Sequence, residues 1–379
     1  MPPRAADWSF IMKKIRFIGI CLAIAMLFCA LTACAEKKNT SNIIMSISDG
    51  EISCEMDVGV YTFLLSRMRG TLSYYDYDVS SDKFWRTVIS SDNRTWDDHF
   101  SNTIFDQAKL YLTIEYLFEK EGLTLEESRE KKIDATMEGL VSKAGSKVAL
   151  NTTLKNYGVN YEMLREIYVI EQKYSQLMSY LYGESGEKII EFEKNKYYSE
   201  NYVAFGQIFL PIYDVVTDEN GQEGMAFYSE EKKAEILERA KQYSEDCNGR
   251  LEKFKEYCAL YSGVEDSVEP TYLFVQSEYY GLQSQSSAYL DTMASELAKM
   301  AVGECRVVVS PYGYHVICRY AREDKAYDNE DYKESFSDFY AMLSDKLFNE
   351  KCDGYADIIT VYNDVDRPKI SEVATNKLY

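Results

Sequence analysis

Histidine is scarce: only two occur in 379 residues, and His99 has no Cys or His neighbour at metal-ligand spacing, which argues against a conventional zinc site. Basic charge is also short. Forty-two Lys and Arg face sixty-two Asp and Glu, a formal net charge of −20, and no basic stripe interrupts the acidic surface. Nucleic acid and anionic headgroup surfaces are excluded as partners by this balance, which also keeps a chain soluble. Cysteine is too sparse for a disulfide scaffold. Beyond residue 34 it occurs at Cys54, Cys247, Cys258, Cys305, Cys318 and Cys352, and a chain this long can bury a sufficient core without cross-links. Long apolar runs are absent except for Phe17 to Ala30, too short for a comfortable membrane span.

That one run has informative flanks. Met12-Lys13-Lys14-Ile15-Arg16 is a basic region before it, and Leu31-Thr32-Ala33-Cys34 follows it, the order of a secretory signal. The residues before Met12 contribute nothing to such a signal, so Met12 is a candidate start. Leu31 to Cys34 resembles a bacterial lipobox. The resemblance implies a signal over 1–33, cleavage before Cys34, lipid on its thiol, and a tether over 34–50 that includes the polar Lys37 to Asn42. The expected place is the outer face of the cell membrane, lipid-anchored. Residues 1–33 carry four basic side chains and one acid, so removing them takes the charge from −20 to −23.

From 51 to 198 the periodicity is helical. Phe105, Ala108, Leu112 and Tyr116 recur at helical spacing up to Gly122, and Thr124 with Glu127 reads as a capping box for the next helix. Asn160 caps a helix whose stripe of Met163, Ile167, Ile170, Tyr174, Leu177 and Leu181 runs until Gly183, a packing face. At Asn201 the texture changes. Tyr202 to Leu210 is an apolar strand broken by Pro211, and Asp218 to Gly221 is a turn cluster. Helical patterns follow over 229–246 and 251–261, then a strand over 271–275 and a helix over about 286–300. This order suits a small α+β domain over 199–322. After it, Asp328 to Cys352 is expected to form one helix with Tyr332, Phe336, Phe339, Leu343 and Leu347 on its apolar face, returning over 323–365 to the first helical region. Residues 366–379 show little periodicity and are expected to fray.

The densest signal is Gly303-Glu304-Cys305 through Ser310-Pro311-Tyr312-Gly313-Tyr314-His315-Val316-Ile317. Val307, Val308 and Val309 supply a strand, Pro311 and Gly313 a turn, and a histidine stands just beyond the glycine. Cys305 and Cys318 are equidistant from the turn, so a simple hairpin places them opposite each other, either bonded or as two apolar thiols.

This hairpin resembles the end of a parvulin-type peptidyl-prolyl isomerase domain. With the lipobox, the helical region and the returning helix, the chain resembles the PrsA-type foldase lipoproteins and the SurA-type periplasmic chaperones. Gln207-Ile208-Phe209-Leu210 stands in the place of the family's first strand, and Phe254 with Ala259-Leu260-Tyr261-Ser262 in that of a helix end carrying an aromatic-serine pair. The implied fold is α+β: a discontinuous helical chaperone domain with an inserted parvulin-like domain. His315 is the family's histidine, Ser310 its threonine or serine, and Gln207 stands where a second histidine is usual. The proline-pocket positions fall at Tyr289 and Met293, with Tyr312 at the turn. Gly263 and Val264 replace the usual Asp or Cys, and Val268 to Leu273 replace a glycine-rich loop.

Prolyl isomerisation requires neither metal nor nucleophile. The barrier of about 18–20 kcal/mol is amide resonance, and a site need only bind the twisted amide better than either planar isomer; no cofactor is expected. The reading is therefore a membrane-anchored foldase or chaperone for secreted polypeptides, with client holding dominant and isomerisation weak or absent. A solute-binding lipoprotein is a different class whose alternating βαβ units are not visible here, and a structural envelope lipoprotein is a third.

Overall fold

The computed structural model describes residues 42–219, 221–261, 269–275 and 288–378, with only the backbone given at 288 and 289. The signal, Cys34, Gly263 and Val264 lie outside the described residues. Nine strands occur among those described: β1 (Ile43–Ser48), β2 (Ser53–Asp57), β3 (Tyr202–Pro211), β4 (Tyr213–Thr217), β5 (Glu223–Phe227), β6 (Thr271–Phe274), β7 (Cys305–Ser310), β8 (Gly313–Tyr320) and β9 (Ile359–Val361). The chain divides into two compact units, one of 42–188 with 344–378 and one of Ile189–Leu343. The architecture is α+β.

The first unit is mostly helical. Its helices include Val58–Tyr74, Trp96–Lys120, Glu127–Ala144, Lys147–Leu154 and Tyr161–Tyr182. Side chains stop and start them. Asp57 accepts from the Gly59 amide at 2.6 Å, Thr95 and Asp98 form a reciprocal capping box, and Asn160 accepts from the Met163 amide at 3.0 Å. The expected Thr124–Glu127 box does not form. The helix there begins at Glu127 with no side-chain cap, and the Gln176 side chain instead accepts from the Glu126 amide and donates to the Thr124 carbonyl. Leu164, Ile167, Ile170 and Leu177 are buried in the core with Leu112, Tyr116, Phe63 and Leu64.

Two further expectations are corrected in this unit. Part of the supposed tether, Ile43–Ser48, is the middle strand of an antiparallel sheet ordered β2-β1-β9, with Ile44, Met45 and Ile47 fully buried. Its amphipathic signal is faint because both faces are covered. The 366–379 segment does not fray over its described length. Ile370 and Val373 join the core, and the Arg69 guanidinium donates to the carbonyls of Ile370, Ser371 and Val373 at 3.3, 2.7 and 2.7 Å. Arg69→Ala is expected to cost roughly 1.5–3 kcal/mol, the scale of one hydrogen bond to a charged group, read as a lower urea midpoint at unchanged m.

The second unit is built on an antiparallel four-stranded sheet ordered β6-β3-β8-β7. Helices Glu230–Cys247 and Leu251–Tyr261 cover one face, where Phe254 meets the Tyr320 ring at 6.2 Å and Gly206 leaves no room for a Cβ between them. The other face carries Val203, Phe205, Val308 and Ile317 beneath Met293 and Leu297 of helix Ala288–Lys299. Cys305 and Cys318 are opposite in register and are free thiols. Contact with Cys318, then burial, pushes the Cys305 thiol up.

The long helix expected over 328–352 is shorter. Residues 326–328 and 330–332 form short 3-10 turns, and the α-helix starts at Phe339. Its apolar residues also divide. Phe336 and Phe339 pack among Tyr197, Tyr198, Tyr202 and Tyr327 of the sheet-bearing unit, the Tyr327 and Phe339 rings stacked at 4.5 Å, whereas Phe348 and Cys352 belong to the helical unit's core. Much of the aromatic content thus fills interior space.

Candidate functional site

Alternation along the strands decides what shares a face with His315. Phe209 of β3 and Val308 of β7 are its direct partners, and Gln207 pairs with Ile317 two residues along. All of these project to the Met293 face. At the turn, Ser310 pairs with Gly313, a position where a Cβ would run into the Leu210 carbonyl and the Phe209 ring of β3, so glycine lets β8 close on β3 beside the histidine.

His315, Ser310 and Gln207, the positions that the resemblance assigns to the family's catalytic site, come together. His315 Nε2 lies 2.9 Å from Ser310 Oγ and Nδ1 lies 3.3 Å from Gln207 Oε1. Ser310 Oγ also accepts from the Tyr312 amide at 3.2 Å. Its single proton has two acceptors, His315 Nε2 at 2.9 Å and the Gly313 carbonyl at 3.3 Å. The shorter contact assigns it to the imidazole. Nδ1–H then donates to Gln207, and a neutral ring serves both of these contacts. Burial agrees: His315 is 7% exposed, and desolvation lowers its pKa from the ordinary 6.5 to about 4.

His315 is therefore a positioning group beneath the surface. Phe209 stacks on it, ring centroids 4.7 Å apart at 28°. Above it, Gln207 is exposed, and Phe209 and Tyr312 are half-buried; these three are the groups of the site that solvent reaches. With Oε1 committed to the imidazole, Gln207 presents its amide nitrogen as the donor. Phe209 carries no mark in the sequence beyond its place in an apolar strand, yet its spacing of two from Gln207 puts both on one face.

The proposed pocket residues differ in placement. Met293 is 2% exposed and packs with Phe205, Val308 and Ile317, so it supports the site's face from within the core. Tyr312 sits at the turn, its carbonyl accepting from the Ile212 amide at 3.0 Å. The Tyr289 side chain lies outside the described residues. His99 is half-buried against Trp96 and Phe100; among the described residues no group of three or more His, Cys, Asp or Glu is arranged to hold a metal ion.

The chain is similar to solved PrsA structures. The peptidylprolyl isomerase PrsA of Bacillus anthracis aligns over 64% of this chain and 93% of its own at 16% identity and a TM-score of 0.25. The foldase PrsA of Streptococcus pneumoniae aligns over 70% and 90% at 15% identity and a TM-score of 0.24. For PrsA of Bacillus cereus the shares are 74% and 96%, the identity 16% and the TM-score 0.27. No family model matches the chain, and no curated protein does.

Proposed function

We propose that the chain is a lipid-anchored, extracytoplasmic foldase that holds extended segments of secreted polypeptides, with slow peptidyl-prolyl isomerisation at the His315 site. The observation that supports it most is the Ser310–His315–Gln207 chain of hydrogen bonds under Phe209 and beside the turn. An apolar ring and one oriented amide donor form a surface suited to a pyrrolidine and its neighbouring carbonyl.

The same geometry sets the rate. Binding a twisted amide more tightly than a planar one accelerates its rotation only by the difference. The neutral Gln207 donor, exposed to water, supplies roughly 0.5–1.5 kcal/mol, which is at most about tenfold in rate. Against a barrier of about 18–20 kcal/mol this is weak catalysis, so holding dominates. Exchange NMR on an Ala-Pro peptide with the mature chain tests it: an acceleration of about tenfold or less, lost in Gln207→Ala, is expected. Rates orders of magnitude higher, abolished by His315→Ala without loss of fold, would make catalysis primary.

The anchor rests on Met12 to Arg16, the apolar run and Leu31-Thr32-Ala33-Cys34. No helix among the described residues is long and apolar enough to cross a membrane. Cys34→Ala is expected to leave an unprocessed precursor or release the protein from membranes. Unchanged processing, lipid labelling and membrane retention would remove the anchor from the account.

A further inference from the structure

A two-stranded ribbon grows out of the His315 site. Where β3 ends, Pro211 pairs with Gly313, Ile212 donates to the Tyr312 carbonyl, and the chain passes into β4 and back along β5. Tyr213 is four residues beyond Phe209, about 13 Å at strand rise. Register puts Tyr213 opposite Phe227 and Val215 opposite Met225, so these four form a ladder on one side of the ribbon. Val215, Met225 and Phe227 are 51%, 48% and 52% exposed, and the Tyr213 and Phe227 rings are 5.9 Å apart. An isolated hairpin of this kind is marginal in water, and an apolar ladder on it makes no contribution to a core.

Within the ribbon's own sequence the charge has one sign. Between Tyr213 and Phe227 the sequence carries Asp214, Asp218, Glu219 and Glu223 and no Lys or Arg. Asp214 accepts from Tyr228 at 2.6 Å near the base, where Lys232 lies over Tyr228 and Lys233 over Phe227. Lys233 also pairs with Glu230. The acids at 218, 219 and 223 stand at the far end, next to the turn.

We infer that the β4–β5 ribbon is a docking strip for an extended polypeptide in which apolar residues alternate with Lys or Arg, captured as an added strand whose apolar side chains lie on the Tyr213–Val215–Met225–Phe227 ladder. The ribbon's outer edges offer backbone groups for such pairing, and the acidic tip selects basic segments and repels acidic ones. Continuity with β3 lets one client chain touch the ribbon and the Gln207–Phe209 surface together. This deepens the foldase reading and rests on it.

The test uses the mature chain and two fluorescent peptides containing one Ala-Pro, one alternating Lys with Val or Phe and one with Glu in place of Lys. The Lys peptide is expected to bind at least roughly tenfold more tightly and to weaken with salt. Val215→Ser with Met225→Ser is expected to cost a similar factor at unchanged circular dichroism. Asp218→Asn with Glu219→Gln and Glu223→Gln, which leaves the ladder intact, is expected to flatten the salt dependence and decides the matter if the ladder variant fails to fold. Equal binding of both peptides, or indifference to both variants, overturns the ribbon while leaving the foldase reading in place if aggregation of an unfolded client is still suppressed. A concentration-dependent dimer abolished by the ladder variant overturns it in favour of a second copy. If neither peptide binds and no client is held, the foldase reading itself fails.

Discussion

Between about pH 6.5 and 4 the protein is expected to lose up to about 3 kcal/mol of stability through His315 alone, given a pKa lowered from 6.5 to about 4 in the folded chain. In that window the unfolded chain binds a proton that the folded chain refuses, so stability falls as pH falls and is fully recovered above the unfolded value. The effect comes from burial, which disfavours the imidazolium. Other groups titrate nearby. His99 is shifted in the same direction by desolvation and then by Arg94, half-buried Asp106 and Asp345 are raised by desolvation, and Asp49 and Asp98 are lowered to about 2 by hydrogen bonds. Urea midpoints of the mature chain and His315→Gln measured across the window isolate the one contribution as a difference. A slope unchanged by the substitution would mean that His315 is not held neutral, and the hydrogen-bond assignment to Ser310 and Gln207 would fall with it.

Truncation after Tyr320 is expected to abolish cooperative folding of the helical unit. It removes β9 from beside β1 and takes Phe348, Ile370 and Val373 out of the core, each worth roughly 1.5–3 kcal/mol when fully buried. The loss is of the order of a whole domain's stability of about 5–15 kcal/mol. Arg69 would also lose three of its acceptors. Far-ultraviolet circular dichroism in urea reads the outcome, and a midpoint equal to that of the full mature chain would show that 344–378 is dispensable to the unit.

What was legible in the sequence follows from where the folding information lies. Tyr202 to Leu210 announces a strand because an apolar run ends at proline, and the Ser310–Gly313 turn with its flanking valines fixes a register that brings Cys305 opposite Cys318 and His315 beside Phe209. Helix caps at Asn160 and Gly183 are equally local. The missed features depend on distant partners. Nothing around Thr124 reveals that Gln176 will claim its carbonyl, and nothing in Ile370 or Val373 reveals that Arg69, some three hundred residues earlier, holds that segment down. Ile43–Ser48 hides as a strand because it is short and covered on both sides. The β4–β5 ribbon escaped for the opposite reason, since its residues are exposed and lack the contrast between buried and solvated positions that marks a core strand. Phe336 and Phe339 do follow a helical spacing with Leu343, yet the aromatic cluster around Tyr198 and Tyr202 draws the first part of that stretch into turns.

Light scattering of an unfolded secretory protein diluted into the mature chain reads client holding itself, with His315→Ala run alongside at matched folded population. Aggregation is expected to be suppressed by both proteins to the same extent, because Gln207, Phe209, Tyr312 and the ribbon are the groups open to a client, with the imidazole beneath them. Aggregation that proceeds in the presence of the folded wild-type chain as it does without it would contradict the account.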